Sequence, residues 1–158
     1  MIFKGKLEEY LFVSEIVPER MYMFNKDLKT GLSIIWNIGA KVEIVIDSQP
    51  LTIEKDCFIF LTSFHTIQKI EFEKLRVIQF NQPFYCVENH DSDVGCKGLL
   101  FFGASTVPKI QIGKEEKKQF DLIWKILEME IDQMDDYSLE MLKSLLKRFL
   151  ILSVRKYK

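Results

Sequence analysis

The chain has 158 residues, of which 47% are hydrophobic and 13% aromatic, so it is long enough for one domain with a sizeable core and too apolar for a disordered segment. A formal charge of −1 and a pI near 6.2 argue against a self-sufficient nucleic-acid binder, because phosphate neutralisation supplies most of the affinity of such modules. No window approaches the ~18 consecutive apolar residues of a membrane helix, Met1–Glu9 lacks the apolar run of a signal peptide, and three cysteines without Cys-x-x-Cys spacing suit a reducing compartment, so a cytoplasmic location is expected.

In chain order, Tyr10–Val13 and Met21–Phe24 are short apolar runs separated by Pro18 and read as strands, followed by a polar turn over Asn25–Gly31. Strands are then expected at Leu32–Ile38, Lys41–Ile46, Leu51–Ile53, Cys57–Leu61, Ile67–Phe72 and Arg76–Phe80, each short, rich in Ile, Val and Phe, and bounded by turn residues. Val42, Ile44 and Ile46 face one way while Lys41, Glu43 and Val45 face the other. No helical segment intervenes before residue 83, which argues for an antiparallel sandwich or barrel and against a parallel βαβ sheet. Gln82–Glu88 reads as a helical turn, Asn89–Asp93 as a polar loop, and Gly98–Gly103 and Lys109–Ile112 as closing strands.

From Gly113 the period changes. Phe120, Ile123, Trp124, Leu127, Ile131 and Met134 fall on one face of a helix, with Gly113 as N-cap and Glu115 and Glu116 complementing its dipole. After a break at Met134-Asp135-Asp136 a second helix is capped by Asp135 or Asp136 and carries a stripe of Leu139, Leu142, Leu146 and Phe149. Met141, Leu145, Ile151 and Leu152 widen that stripe beyond the ~100° that packing on one surface requires. Either the helix is buried in its own hairpin and against a sheet, or part of it meets a second copy of the chain. Arg148, Arg155 and Lys156 suit the negative helix terminus. The helix reaches Lys158 with no Gly, Pro or polar tail, so something is expected to follow or cover it. The expected organisation is a β-barrel over 1–112 and a helical pair over 113–158, packed as one unit.

The search for chemistry is negative. His65 and His90 are the only histidines, and the His-x-His spacing of a metal-bearing barrel is absent. Cys86, His90 and Cys96, with Asp91 or Asp93, are the best metal candidates, but nine residues separate the cysteines where structural zinc sites prefer two to four. Ser63 and His65 are only two residues apart, and no Gly-x-Ser-x-Gly elbow exists. No catalytic residue, metal or other cofactor is therefore expected. Trp36, Phe58, Phe60, Phe80, Phe101 and Phe102 could line a cavity, although ordinary core packing is the favoured reading for most of them, and Trp36, Glu43, Phe60 and His65 are the candidate ligand contacts.

The runs Arg76–Asn81, Pro83–Val87 and His90–Gly103, together with Glu140–Ile151, resemble the N-terminal half of AraC-type bacterial transcriptional regulators, in the subgroup whose cupin-like domain lacks metal ligands. The resemblance spans most of residues 32–157. It implies a double-stranded β-helix barrel that senses a ligand, followed by a helical pair used for dimer contact. On it, Leu142, Leu145, Leu146, Phe149 and Leu152 are the expected homodimer interface, a small-molecule effector is the expected partner, and DNA is reached only through a helix-turn-helix domain that would follow Lys158. The rival expectations are a small cupin enzyme and a small-molecule carrier.

Overall fold

The computed structural model describes residues 1–23, 31–86, 100–101 and 106–157. Among the described residues nine strands come first: β1 (Ile2–Lys4), β2 (Tyr10–Ile16), β3 (Leu32–Asn37), β4 (Val42–Ile46), β5 (Gln49–Ile53), β6 (Cys57–Thr62), β7 (Ile67–Glu71), β8 (Leu75–Phe80) and β9 (Lys109–Gln111). Two helices follow, α1 (Lys114–Asp132) and α2 (Ser138–Tyr157). Every strand pairing is antiparallel, in a six-stranded sheet of order β1-β2-β8-β3-β6-β9 and a three-stranded sheet of order β5-β4-β7.

Met21–Met23, the described part of the expected Met21–Phe24 strand, is not extended. Pro18–Met23 forms a 3-10 helix kinked at Arg20 (φ −112°, ψ 17°), and Tyr22 points outward. Pro18 presets the first φ of a turn, and the apolar run after it is too short to enforce extension. The expected Gly98–Gly103 strand lies mostly outside the described residues; Leu100 and Phe101, which are described, sit in a turn and are buried. Between β4 and β5, Asp47 and Ser48 both take positive φ (49° and 67°), as a two-residue hairpin turn demands. Pro50 then falls on β5, an edge strand, where a missing N–H is tolerated.

The six-stranded sheet is the middle of three layers. On one side, Phe12, Ile16, Ile35, Ile59, Leu61, Leu75 and Val77 pack against Val42, Ile44, Ile46 and Ile53 of the small sheet. On the other, Leu11, Val13, Ile34, Trp36, Phe58, Phe60, Ile78 and Phe80 pack against Phe120, Ile123, Trp124, Leu127, Leu142, Leu146 and Phe149 of the two helices. Side chains alternate across a strand, so each central strand contributes to both cores. All six residues of β3 are buried for this reason.

The helical hairpin starts and turns on local hydrogen bonds. The Gly113 N–H donates to Glu116 Oε2 at 2.5 Å, and a Cβ at position 113 would lie 2.9 Å from that oxygen, so glycine leaves room for the cap. At the start of α2, the Tyr137 N–H donates to Asp135 Oδ1 at 2.8 Å and the Asp135 N–H to Ser138 Oγ at 2.9 Å. Asp135, not Asp136, is therefore the cap.

Candidate functional site

The expected ligand contacts are not brought together. Trp36 and Phe60 lie on the helix side of the large sheet, outside the space between the two sheets, and both are fully buried. Their strands place even-numbered residues toward the helices, whereas Ile35, Ile59 and Leu61 face the small sheet. Glu43 is on the outer face of the small sheet, where it accepts from Thr52 Oγ1 at 3.0 Å. His65 closes the turn after β6, its Nδ1 accepting the Thr62 N–H at 2.9 Å. These four residues form no common cavity. Trp36 and Phe60 are core, and Glu43 and His65 are local surface structure.

The expected dimer residues need a similar correction. Leu142, Leu146 and Phe149 are each 0% exposed, and Leu145 and Leu152 are half-buried against the same core. α2 is covered by both α1 and the sheet, and that double coverage is why its apolar stripe is so wide. The uncovered apolar surface is on α1 instead. Leu122, Ile126 and Met129 are 59%, 41% and 68% exposed, and their spacing of four and three aligns them opposite the buried face of that helix. Met134, Tyr137 and Met141 extend exposed apolar surface to the tip of the hairpin. A search for exposed i, i+4, i+7 apolar residues on the opposite face would have found the α1 stripe.

Where α1 meets the sheet, an aromatic block is assembled. Trp36 is edge-on to Phe58 (5.0 Å), Trp124 (6.3 Å) and Phe120 (6.4 Å), and Phe120 contacts Phe58 (4.8 Å) and Phe149 (4.9 Å). Such pairs contribute about 0.5–1.5 kcal/mol beyond their area burial. Arg76 of β8 enters this block, with its guanidinium carbon 4.5 Å from the Trp36 ring centre and 5.2 Å from that of Trp124. Its Nε donates to Glu15 Oε2 at 3.1 Å and its Nη1 to Asp121 Oδ1 at 2.6 Å. Burial alone would raise the Glu15 carboxyl, but the bonds from Arg76 and Lys74 outweigh it and hold that group below its ordinary value. Arg76 is the one cation in an otherwise apolar or amide-bearing strand, the only sequence signal that could have singled it out.

Between the sheets the lining is apolar apart from a few polar groups. Gln79 of β8 and Ser33 of β3 are register partners, both buried, and Gln79 Nε2 donates to Ser33 Oγ at 3.2 Å. Asn37 at the other end of β3 spends its amide on the carbonyls of Ala40 (2.9 Å) and Ile53 (3.0 Å) and is structural. Among the described residues no three His, Cys, Asp or Glu side chains lie together as a metal site would need. Of the Cys86, His90 and Cys96 set, only Cys86 is described; His90, Cys96, Asp91 and Asp93 lie outside those residues, as does Phe102. No described helix is long and apolar enough to cross a membrane.

These features define a two-sheet antiparallel, barrel-like domain closed on one face by a helical hairpin. No family model and no curated protein matches the chain. Among solved structures it is similar to ToxT from Vibrio cholerae in its P21 crystal form, at 13% identity and a TM-score of 0.46. It is also similar to ToxT from Vibrio cholerae O395 bound to (E)-4-(8-methylnaphthalen-1-yl)but-3-enoic acid, at 13% identity and a TM-score of 0.47. In both, 94% of this chain aligns, and the chain spans 57% of the length of the matched protein.

Proposed function

We propose that this chain is the cupin-like sensing and dimerising module of an AraC-type transcriptional regulator, acting on DNA through a helix-turn-helix domain carried beyond it. The sequence resemblance over residues 32–157 motivates the reading. The observation that carries it is the helical hairpin, which buries one face of α1 on the sheet and leaves Leu122, Ile126 and Met129 aligned on the other. Aligned exposed apolar side chains on a helix mark an interaction surface. A second copy offering the same stripe would cover it in an isologous pair. The inward-facing Ser33–Gln79 pair is the candidate polar contact for a small effector held between the sheets.

Regulation would then consist of a population shift. An effector that favours one packing of the hairpin changes how two copies pair, and so the spacing of the attached DNA readers. The test is a transcriptional reporter in which residues 1–158 replace the dimerisation domain of a repressor that binds only as a dimer. The chain should restore repression, and Leu122→Asp with Ile126→Asp should abolish it while expression and the circular dichroism melt are unchanged. A chain that sediments as a monomer at all accessible concentrations and gives no repression removes the reading.

A further inference from the structure

The seat of α1 on the large sheet combines a strong tie with a built-in cost. The Arg76 side chain is 15% exposed and bridges two carboxylates on different layers, Glu15 on the neighbouring strand β2 and Asp121 on α1. A pair this sheltered interacts more strongly than one in open water. Another charge contact between α1 and the β-layers, Lys117 to Asp56, is longer at 3.6 Å. Among the described residues, the buried Trp124 Nε1 at the same seat has no hydrogen-bond partner. A buried donor left bare is penalised relative to any state in which it meets water, so the docked arrangement carries a term that favours release.

We propose that Arg76 and Asp121 form a releasable latch that sets whether α1 is seated on the sheet. Its two partners make release feasible. When Asp121 lets go, Glu15 keeps the guanidinium paired, and Lys74 stays 3.2 Å from Glu15, so no charge is left isolated in the aromatic block. The strand that carries the latch also faces the opposite core. Arg76, Ile78 and Phe80 point toward the helices, whereas Val77 and Gln79 point between the sheets. A displacement of β8 from within is therefore transmitted to Arg76 through one peptide unit. The biological use of the latch rests on the regulatory reading above; its existence does not.

Hydrogen exchange on the 158-residue chain tests it, with tryptophan emission as a second readout because both tryptophans of the chain border Arg76. In Asp121→Asn, α1 amides between residues 120 and 131 should exchange about tenfold faster or more, with β3 and β8 amides within about twofold of the parent, and emission should move to the red. Glu15→Gln should leave α1 exchange near the parent value, because Asp121 retains the guanidinium, and Asp121→Glu should restore slow exchange. Equal acceleration of sheet and helix in both Asp121→Asn and Glu15→Gln would reduce Arg76 to a generic stability contact and overturn the proposal. So would α1 exchange unchanged in Asp121→Asn. Neither result touches the dimer reading, which sedimentation and the reporter decide separately.

Discussion

Lys156, in the last turn of α2, lies 2.8 Å from Glu116, in the first turn of α1, and joins the two ends of the hairpin that are furthest from its connecting turn. The pair sets a cation at a helix C-terminus beside an anion at a helix N-terminus, so each charge also meets a favourable dipole end. Glu116 additionally accepts the Gly113 N–H. The bond from Lys156, followed by that from Gly113, holds the Glu116 carboxyl below the usual glutamate range. A depressed folded-state value means that its contribution to stability is present above the unfolded value and lost as pH falls through the folded one. Carboxyl NMR titration should show Glu116 titrating below the usual glutamate range, and Lys156→Ala should move it back up.

Phe58 is the hub of the aromatic block, fully buried with Trp36, Phe120 and Phe149 around it. Phe58→Ala leaves a cavity between sheet and helices that the surrounding rings cannot refill, and should cost about 3–5 kcal/mol. Urea unfolding followed by circular dichroism would show the midpoint falling with little change in slope.

Leu146 and Leu122 separate core from surface within the same hairpin. Leu146→Asp places a carboxylate where no water reaches and should prevent stable folding, whereas Leu122→Asp should melt within a few degrees of the parent. If the two variants melt alike, the assignment of faces on α1 and α2 is wrong.

Cys57 faces the core between the sheets, and burial pushes its thiol up to about 11. At mildly alkaline pH it should therefore resist alkylation in the native protein and react fully in denaturant. The half-buried Cys86 should modify before Cys57, as peptide mass spectrometry of a timed iodoacetamide reaction would show.

The strands of the small sheet were the most legible part of the chain, because one face of that sheet is wet. The alternation of Val42, Ile44 and Ile46 with exposed or half-buried neighbours gives both the element and its inner face. β3 and β6 were legible as strands but not as faces. With both sides buried, hydrophobicity does not say whether Trp36 and Phe60 look toward the small sheet or the helices, nor that Glu43 and His65 lie away from both. α2 shows the same ambiguity. A helix covered by two layers has a stripe as wide as one shared with a second copy, so Leu142, Leu146 and Phe149 were assigned to an interface when they are interior. Arg76, Asp121 and Glu15 are far apart in sequence, and only the register of β2 with β8 and the docking of α1 bring them together.

The large sheet works as a party wall, greasy on both sides, and this bears on how the protein can be cut and refolded. Removing residues 113–158 would strip the cover from Trp36, Phe58, Phe60, Ile78 and Phe80 together. Segments such as Leu32–Trp36 and Cys57–Leu61 would then be sticky, uncharged ribbons of the kind that stack into aggregates. Residues 1–112 expressed alone should collect in inclusion bodies, and adding the missing hairpin as a separate peptide during dilution from denaturant should bring them back into solution.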